Sequence, residues 1–533
     1  VTLRRILAGG GEVAGPSLVG GVLVALALPP FGWWPLAVAG AALLWWRLGG
    51  LPARRRLVAG VAFGLGWSVV SLWWVLSFNV YGGALLMVVE ALAPALAALV
   101  TPGGRGRTGV LAGAMVLAEL GRSSWPFGGL PLGGVALSQA GSPLGGAARL
   151  GGPLLLVGLV WLAGGGVGSL VVALAGGRGR AGAGGAGATG VGAGGGAGGG
   201  GCAGRVGALL SALVALGAVV TVAGVGAGAP DGGAAVARLA VAAVQGGGQR
   251  GLRKADVDPA TVFGAQVAAT QALEARTGPE PRLVLWPEDV VALDEPLAGS
   301  SEEAVLASLA EAGGTTVVAG VTEPAGTGHF RNEIVAFAPD GAVVARFDKV
   351  HRVPFGEYVP LRGLVQHLAD LSAVPQDAVA GHGTGLLRTP AAPLGAMVSY
   401  EVFFADRGRS STRAGAELLV VPTNTSSYAT AQVPTQEIAA ARLQALAEGR
   451  DLVQAAPTGF SAVVDHDGHV LARTDLGRRQ VLTRTVALRR GQTVYERLGD
   501  APVLVLAAVG VLGSWVLALR RRRGGGAVTT PRP

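Results

Sequence analysis

Cysteine and lysine are nearly missing from this chain: one Cys (Cys202) and two Lys (Lys254 and Lys349) stand against forty Arg in 533 residues. A single Cys excludes a disulfide-stapled scaffold. So few Lys beside so many Arg reads as Arg replacing Lys wherever it can, and a Lys that survives marks a task Arg performs poorly. Charge is also scarce, at 14% of residues, and uneven. Residues 1–235 carry 13 Arg, no Lys and 4 acidic residues, residues 236–519 carry 24 basic and 29 acidic residues, and the last 14 add five Arg. No domain joins dense basic residues to interleaved aromatics, which excludes a simple nucleic-acid-binding protein. The six His and the Cys show no HExxH or CxxC spacing, and no GxGxxG or Walker loop follows a strand, so neither a metal nor a cofactor is expected.

What is abundant is apolar sequence. Runs of about the length that crosses a bilayer lie at about 14–29, 32–46, 57–78, 81–101, 108–121, 153–175 and 206–228, with one more at about 501–519. The run at 108–121 is short. A cleaved signal peptide is the other reading of the first run, but further apolar runs follow at once, which favours a polytopic α-helical membrane bundle of about eight spans. Arg4, Arg5, Arg47, Arg54, Arg55, Arg56, Arg105, Arg107, Arg178, Arg180 and Arg205 fall in alternate loops, and only Arg122 and Arg149 fall in the others. The positive-inside rule makes the first set cytoplasmic. Residues 1–228 then form a membrane domain of about seven helices, 229–500 an extracytoplasmic domain, 501–519 a returning helix, and 520–533 a basic tail inside, at the plasma membrane. Ten of eleven Trp lie in the membrane portion, several as pairs, which suits an interfacial belt. Glu90 and Glu119 sit in or near spans, either as functional carboxylates or as protonated or interface-facing ones. The Gly/Pro-rich loop 122–150 is too long for a simple turn and is placed to line a route for substrate. The Gly/Ala tract 176–205, which holds Cys202, cannot bury a core and reads as a disordered cytoplasmic loop.

From about 236 the pattern changes to short apolar strands alternating with helices. Strands are expected at 238–245, at 282–289, in TTVVAGV, in GAMVSYEVFF and in ELLVVPTN; helices at 259–276, in EEAVLASLAEAG and at 434–450; and hairpins turning at Asp340–Gly341 and Asp467–Gly468. About 260 such residues make one α/β domain with helix-covered sheets. Three polar residues stand at apparent strand ends: Glu288, Lys349 and Ser399. Singly, each has an ordinary explanation, as loop acid, solvated Lys and turn former. Together they suggest a base, a cation and a nucleophile.

At these residues the chain resembles the apolipoprotein N-acyltransferases, nitrilase-superfamily (carbon–nitrogen hydrolase) proteins with a membrane-embedded N-terminal half. VQGGG (244–248) is similar to the family's opening VQGN, WPE (286–288) to its base motif, and DKxHxVPFGEYVP (348–360), the most specific match, to its lysine motif. SYE (399–401) stands where the family has CYE, Asn424 matches an Asn after the next strand, and Gln436, Ala441–Arg442 and Glu448–Gly449–Arg450 fit the family helix, as do Thr458–Gly459 and YERLGD (495–500). The resemblance covers nearly the whole chain and implies a nitrilase-like αββα sandwich for the outer domain. There are departures: Ser399 replaces the nucleophilic Cys, and NTSSYAT (424–430) replaces the more usual NDAWFG. Cys202 cannot substitute, since the topology puts it on the opposite side of the membrane.

The activity implied is two acyl transfers through one covalent intermediate. Ser399 attacks a phospholipid ester, Glu288 is general base and acid, and Lys349 with a backbone N–H stabilises the oxyanion. Glu357 orients Lys349 or shapes the pocket, Asn424 supports the site, and Glu401 returns to the nucleophile's face if the strand continues. The acyl chain then passes to the N-terminal amine of a diacylglyceryl-cysteine lipoprotein. Two other readings stand beside this one. In the first, a membrane-tethered amidase or nitrilase-like hydrolase uses water in place of the amine. In the second, the chain is a non-catalytic membrane partner of polyprenol-phosphate mannose synthase, an association that could also coexist with activity.

Overall fold

A computed structural model describes residues 2–175, 199–248, 256–273, 280–367, 370–428 and 430–524. Lys254 and residues 176–198 of the Gly/Ala tract lie outside these. The chain divides into two compact units, one of residues 1–121, 154–225 and 501–533, the other of residues 122–153 and 226–500.

The first unit is helical. Among the described residues, helices Thr2–Ala27, Pro35–Arg47, Ala53–Leu72, Val80–Val100, Arg107–Arg122, Ala148–Ala175, Gly199–Ala227 and Ala501–Gly524 lie at the eight apolar runs. Four stretches are long and apolar enough to cross a membrane: Ala53–Ser77, Val80–Val100, Gly145–Ala175 and Gly204–Ala227. The expectation of about eight spans is thus met by four. The reason is length: at about 1.5 Å per residue, Pro35–Arg47 and Arg107–Arg122 are about 20 and about 24 Å long, short of a roughly 30 Å hydrocarbon core. The outermost helices, Thr2–Ala27 and Ala501–Gly524, run 26 and 24 residues. The expected loop at 176–205 ends earlier than read, because the helix starting at Gly199 takes in Cys202 and Arg205. Small residues set the packing. A Cβ on Gly60 or Gly64 would lie 2.6 Å from the Cα of Ala95 or Ala91, so this Gly-x-x-x-Gly pair lets two backbones touch.

The second unit is built on two sheets. The strands are β1 (Ala237–Gln245), β2 (Leu283–Leu285), β3 (Val291–Ala292), β4 (Thr316–Pro324), β5 (His329–Phe337), β6 (Val343–Asp348), β7 (Asp377–Ala378), β8 (Leu386–Arg388), β9 (Pro393–Ala396), β10 (Leu418–Pro422), β11 (Leu452–Ala455), β12 (Ala462–Val464), β13 (Val470–Arg473) and β14 (Gln480–Leu488). One sheet runs β14-β1-β2-β4-β5-β6, with β3 on β4 and β7 on β5; the other runs β13-β12-β11-β10-β9-β8. The central strands are runs of Val, Leu and Ala buried on both faces, as parallel strands covered by other layers must be. Val241, Leu283, Val318 and Ile334 of the first sheet meet Leu394, Leu418, Val420 and Val453 of the second in one core. The outer face of the first sheet packs Val284, Trp286, Val317 and Phe337 with Ala269 of helix Pro259–Gln271 and with Leu306 and Ala310 of helix Ser301–Gly313. Helices Ala405–Arg413 and Gln432–Glu448 lie on the second sheet. The layers are therefore αββα, as expected. Both hairpins turn where the sequence places them, at Gly341 (φ 78°) and Gly468 (φ 76°).

The strand expected through GAMVSYEVFF stops short. β9 ends at Ala396, and Ser399–Phe403 form a 3-10 turn. The cause is Glu401, whose Oε2 accepts the N–H of Val398 at 2.8 Å and closes the turn.

Candidate active site

Glu288 stands three residues beyond β2. Gly320 of β4 lets it sit there: a Cβ on Gly320 would fall 2.4 Å from the Cα of Glu288, and the Gly320 N–H donates to the Pro287 carbonyl at 3.0 Å. The next residue, Asp289, is left-handed (φ 56°), which turns the chain sharply off the strand. Lys349 follows β6. Its N–H donates to the Asn332 carbonyl and its own carbonyl accepts from Gly381, each at 2.8 Å. Glu357 lies in the turn after Lys349, where its Oε2 accepts the Val353 N–H at 2.6 Å.

These three side chains meet. Lys349 Nζ donates to Glu288 Oε1 at 2.7 Å and to Glu357 Oε1 at 2.9 Å. Asn332 of β5 sends its Nδ2 to the same two oxygens, at 2.8 and 2.6 Å. Lys349 is 2% exposed and Glu288 5%. Two carboxylates therefore share one ammonium out of water, and this sets the proton affinities. Burial opposes the charge on Lys349, but Glu288 and Glu357 outweigh it and hold the Lys349 pKa above the ordinary lysine value. Burial pushes the Glu288 carboxyl upward against the pull of Lys349, and Glu357 adds to the push.

Ser399 sits at the end of the segment after β9 with a left-handed backbone, φ 51°. For a non-glycine residue this costs on the order of 1–3 kcal/mol and concentrates at functional positions. Its Oγ lies 3.2 Å from Thr423 Oγ1, just beyond β10, and Thr423 also hydrogen-bonds Glu437 of helix Gln432–Glu448. Glu437 is close enough to Glu288 and Lys349 to feel both charges. Ser399 is thus linked by hydrogen bonds through Thr423 to Glu437, which lies within electrostatic range of the carboxylate–ammonium cluster.

Glu401 is placed differently from the sequence reading. Because β9 has ended, its carboxylate does not return to the nucleophile's face of a strand. It is fully buried, and Oε1 accepts the N–H groups of Val350 (2.8 Å) and His351 (3.1 Å), the residues that follow Lys349. Asn424 turns its Oδ1 to the Ser426 N–H at 3.0 Å and braces its own loop. Sequence reasoning missed Asn332, Thr423 and Glu437. For Glu437 a signal existed, an acid inside the apolar face of a helix.

The 122–153 segment belongs to this unit and touches it beside the site. Tyr400 Oη donates to the Gly129 carbonyl at 2.8 Å, Tyr358 Oη to the Phe127 carbonyl at 3.0 Å, and the Gly133 N–H to Gln436 Oε1 at 2.9 Å. The three partners are the chain neighbours of Ser399, Glu357 and Glu437. Elsewhere, ligand atoms of Asp231, His466 and Asp467, and of Asp465, Asp467 and His469, come within 4.8 Å of one another and could hold a cation, although Asp467 already pairs with Arg149.

A buried Glu–Lys–Glu cluster beside an αββα sandwich fits the carbon–nitrogen hydrolase class of folds. Residues 233–496 match the carbon-nitrogen hydrolase family, and residues 20–166 match the apolipoprotein N-acyltransferase N-terminal domain. The chain is 30% identical over 528 residues to an apolipoprotein N-acyltransferase of Mycolicibacterium smegmatis, covering 92% of this chain and 83% of that one. It is 30% identical over 537 residues to one from Methylococcus capsulatus, covering 95% and 96%. Among solved structures, a carbon-nitrogen hydrolase from Helicobacter pylori aligns with 50% of this chain and 95% of its own at 17% identity and a TM-score of 0.38. The chain belongs to the apolipoprotein N-acyltransferase family.

Proposed function

We propose that this protein moves a fatty acyl chain from a membrane phospholipid to the N-terminal amine of diacylglyceryl-cysteine in lipoproteins, through an acyl-enzyme on Ser399. The observation that carries the reading is Lys349, buried with its ammonium 2.7 Å from Glu288 and 2.9 Å from Glu357. Ser399 Oγ attacks the ester carbonyl while Glu288 takes its proton. Lys349 and a backbone N–H hold the charge that develops on the carbonyl oxygen. Glu288 returns the proton to the leaving lysophospholipid oxygen. It then takes a proton from the incoming lipoprotein amine as the nitrogen attacks the ester carbonyl, and passes that proton to the departing Ser399 Oγ, so that the amide forms and both residues return to their starting states. A serine hydroxyl is less acidic than a thiol, so the base carries more of the task.

The remaining apolar helices complete a bundle of about eight crossings around the four long ones. The arginine-rich loops lie on the cytoplasmic side, with the α/β unit outside, where both lipid-anchored substrates reside. The hydrolase reading and the mannose-synthase partner reading each lack a comparable observation. The test is mass spectrometry. Phospholipid alone leaves an acyl oxygen ester on Ser399 that resists neutral hydroxylamine better than a thioester does. Ser399→Ala abolishes it and abolishes N-acylated lipoprotein in a deletion strain, while Ser399→Cys retains activity. Normal N-acylation in the Ser399→Ala strain, with no second such enzyme present, defeats the mechanism.

A further inference from the structure

We infer that Glu437 works in its protonated form and, through Thr423, sets the direction of the Ser399 hydroxyl hydrogen. The inference rests on the reading of Ser399 as nucleophile.

The argument is one of hydrogen counting. Thr423 Oγ1 lies 3.2 Å from Ser399 Oγ and also bonds Glu437 Oε1. A threonine hydroxyl has one hydrogen, and an ionised carboxylate only accepts. If Glu437 is ionised, it takes the Thr423 hydrogen, and the Ser399–Thr423 contact is then made by the Ser399 hydrogen. That hydrogen is thereby committed to Thr423 and lost to any base. If Glu437 is protonated, it donates to Thr423, Thr423 donates to Ser399 Oγ, and the Ser399 hydrogen stays free for Glu288. The two arrangements differ by one proton and by the rotation of two hydroxyls, and no heavy atom moves.

The surroundings favour the protonated form. Thr423 is fully buried, and Glu437 is 2% exposed. Among the described residues, the second carboxyl oxygen of Glu437 is hydrogen-bonded by the Gln454 amide alone, at 3.3 Å, and that amide makes its shorter bond, 2.9 Å, to the Phe460 carbonyl. What faces Glu437 is Thr423, Gln454 and the Tyr428 phenol, with Glu288 and Lys349 at longer electrostatic range. The Lys349 ammonium is already held by Glu288 and Glu357. Burial, helped by Glu288, pushes the Glu437 carboxyl up to about 8. A neutral donor chain onto Ser399 also serves a hydroxyl nucleophile, which needs its proton aimed at a base more than a readily ionised thiol does. Glu437 acts through Thr423 and is a positioning residue.

The experiment is single-turnover acylation of the full chain in vesicles of defined phospholipid, followed across pH, with the shape of the profile as the readout. The wild-type rate falls as pH rises through about 8. In Glu437→Gln the amide donates to Thr423 at every pH, so that fall disappears. Thr423→Val lowers the rate below about pH 8 by about tenfold, the worth of one hydrogen bond, and abolishes the fall above it, since no Thr423 oxygen remains to hold the Ser399 hydrogen; Thr423→Ser restores both, which a purely packing role of the methyl does not allow. In Ser399→Cys the fall is absent. A fall that persists unchanged in Glu437→Gln overturns the inference, and a wild-type profile flat through about pH 8 overturns it whichever variants fold. Absence of any acyl group on wild-type Ser399 is a separate result, which removes the nucleophile assignment and this inference with it.

Discussion

Glu401 fixes Val350. One carboxylate oxygen of Glu401 takes the Val350 N–H at 2.8 Å and the His351 N–H at 3.1 Å, and the other takes the Val398 N–H at 2.8 Å. A single buried side chain therefore ties the segment that carries Ser399 to the segment that carries Lys349. Arg407, with its Nε 3.5 Å away, balances the charge. Glu401→Gln points an amide N–H₂ at backbone donors and leaves at least one of them unpaired. The expected loss is about 1–3 kcal/mol of stability per unpaired group, with a fall in acylation that exceeds the fall in folded fraction. Thermal unfolding and the acylation rate, measured on the same preparation, check it. Full activity in Glu401→Gln would show that the two segments do not need this tie.

Lys349→Arg keeps the charge yet is expected to lose acylation by on the order of 100-fold to 1000-fold, the worth of one oxyanion donor. The ammonium sits between two carboxylate oxygens and beside the Asn332 amide, and it is 2% exposed. The larger planar fork of Arg has no room to place its donors there. Acylation by Lys349→Arg within a few-fold of wild type takes Lys349 out of the oxyanion role.

Glu448 predicts a pH effect on stability. It is fully buried, Thr412 donates to it at 2.9 Å, and burial pushes its carboxyl up to about 8. In the unfolded chain a Glu titrates near about 4.3. Between those values the folded state holds the extra proton. The stability contributed by the neutral form is complete below about 4.3 and is lost as pH rises toward about 8. Glu448→Gln removes this dependence. The stability of the variant relative to wild type should rise with pH across that window by a few kcal/mol, read from denaturant unfolding at matched pH. A difference independent of pH refutes the assignment.

Cys202 is the only cysteine and so a ready topological probe. With the proposed orientation, an impermeant thiol reagent leaves Cys202 unlabelled in intact cells. It labels a cysteine placed at the exposed His469, in His469→Cys. Labelling of Cys202 from outside reverses the orientation.

Glu288 and Lys349 were legible in the sequence because each lies in a short motif at a strand end, and Glu357 because the family motif that holds Lys349 holds it too. The lysine and Glu357 are even in the same stretch, and one local turn brings them together. Asn332, Thr423 and Glu437 were not legible, because their approach depends on pairing between distant strands: β5 with β6 sets Asn332 beside Lys349, and β9 with β10 sets Thr423 beside Ser399. Alternating apolar strands and helices gave an α/β domain with helix-covered sheets, and the family resemblance implied the αββα order of its layers. The end of β9 followed from neither, since Met397 and Val398 read as strand and only the reach of Glu401 back to its own backbone reveals the turn. Span number was met only in part: four helices are long and apolar enough to cross, while Pro35–Arg47 and Arg107–Arg122 are apolar in sequence but short as helices.

The bond between Gly133 and Gln436 joins residues 303 apart in the chain. At about 5–20 residues per second of synthesis, the segment around Gly133 leaves the ribosome about 15–60 seconds before its partner exists. The unit that carries the site cannot, then, be completed in the order in which it is made, and its first thirty or so residues must be kept available until most of the polypeptide has followed. A fragment beginning at residue 226 would lack the backbone carbonyls that receive Tyr358 and Tyr400, so the unit is a whole in space without being a whole in the gene.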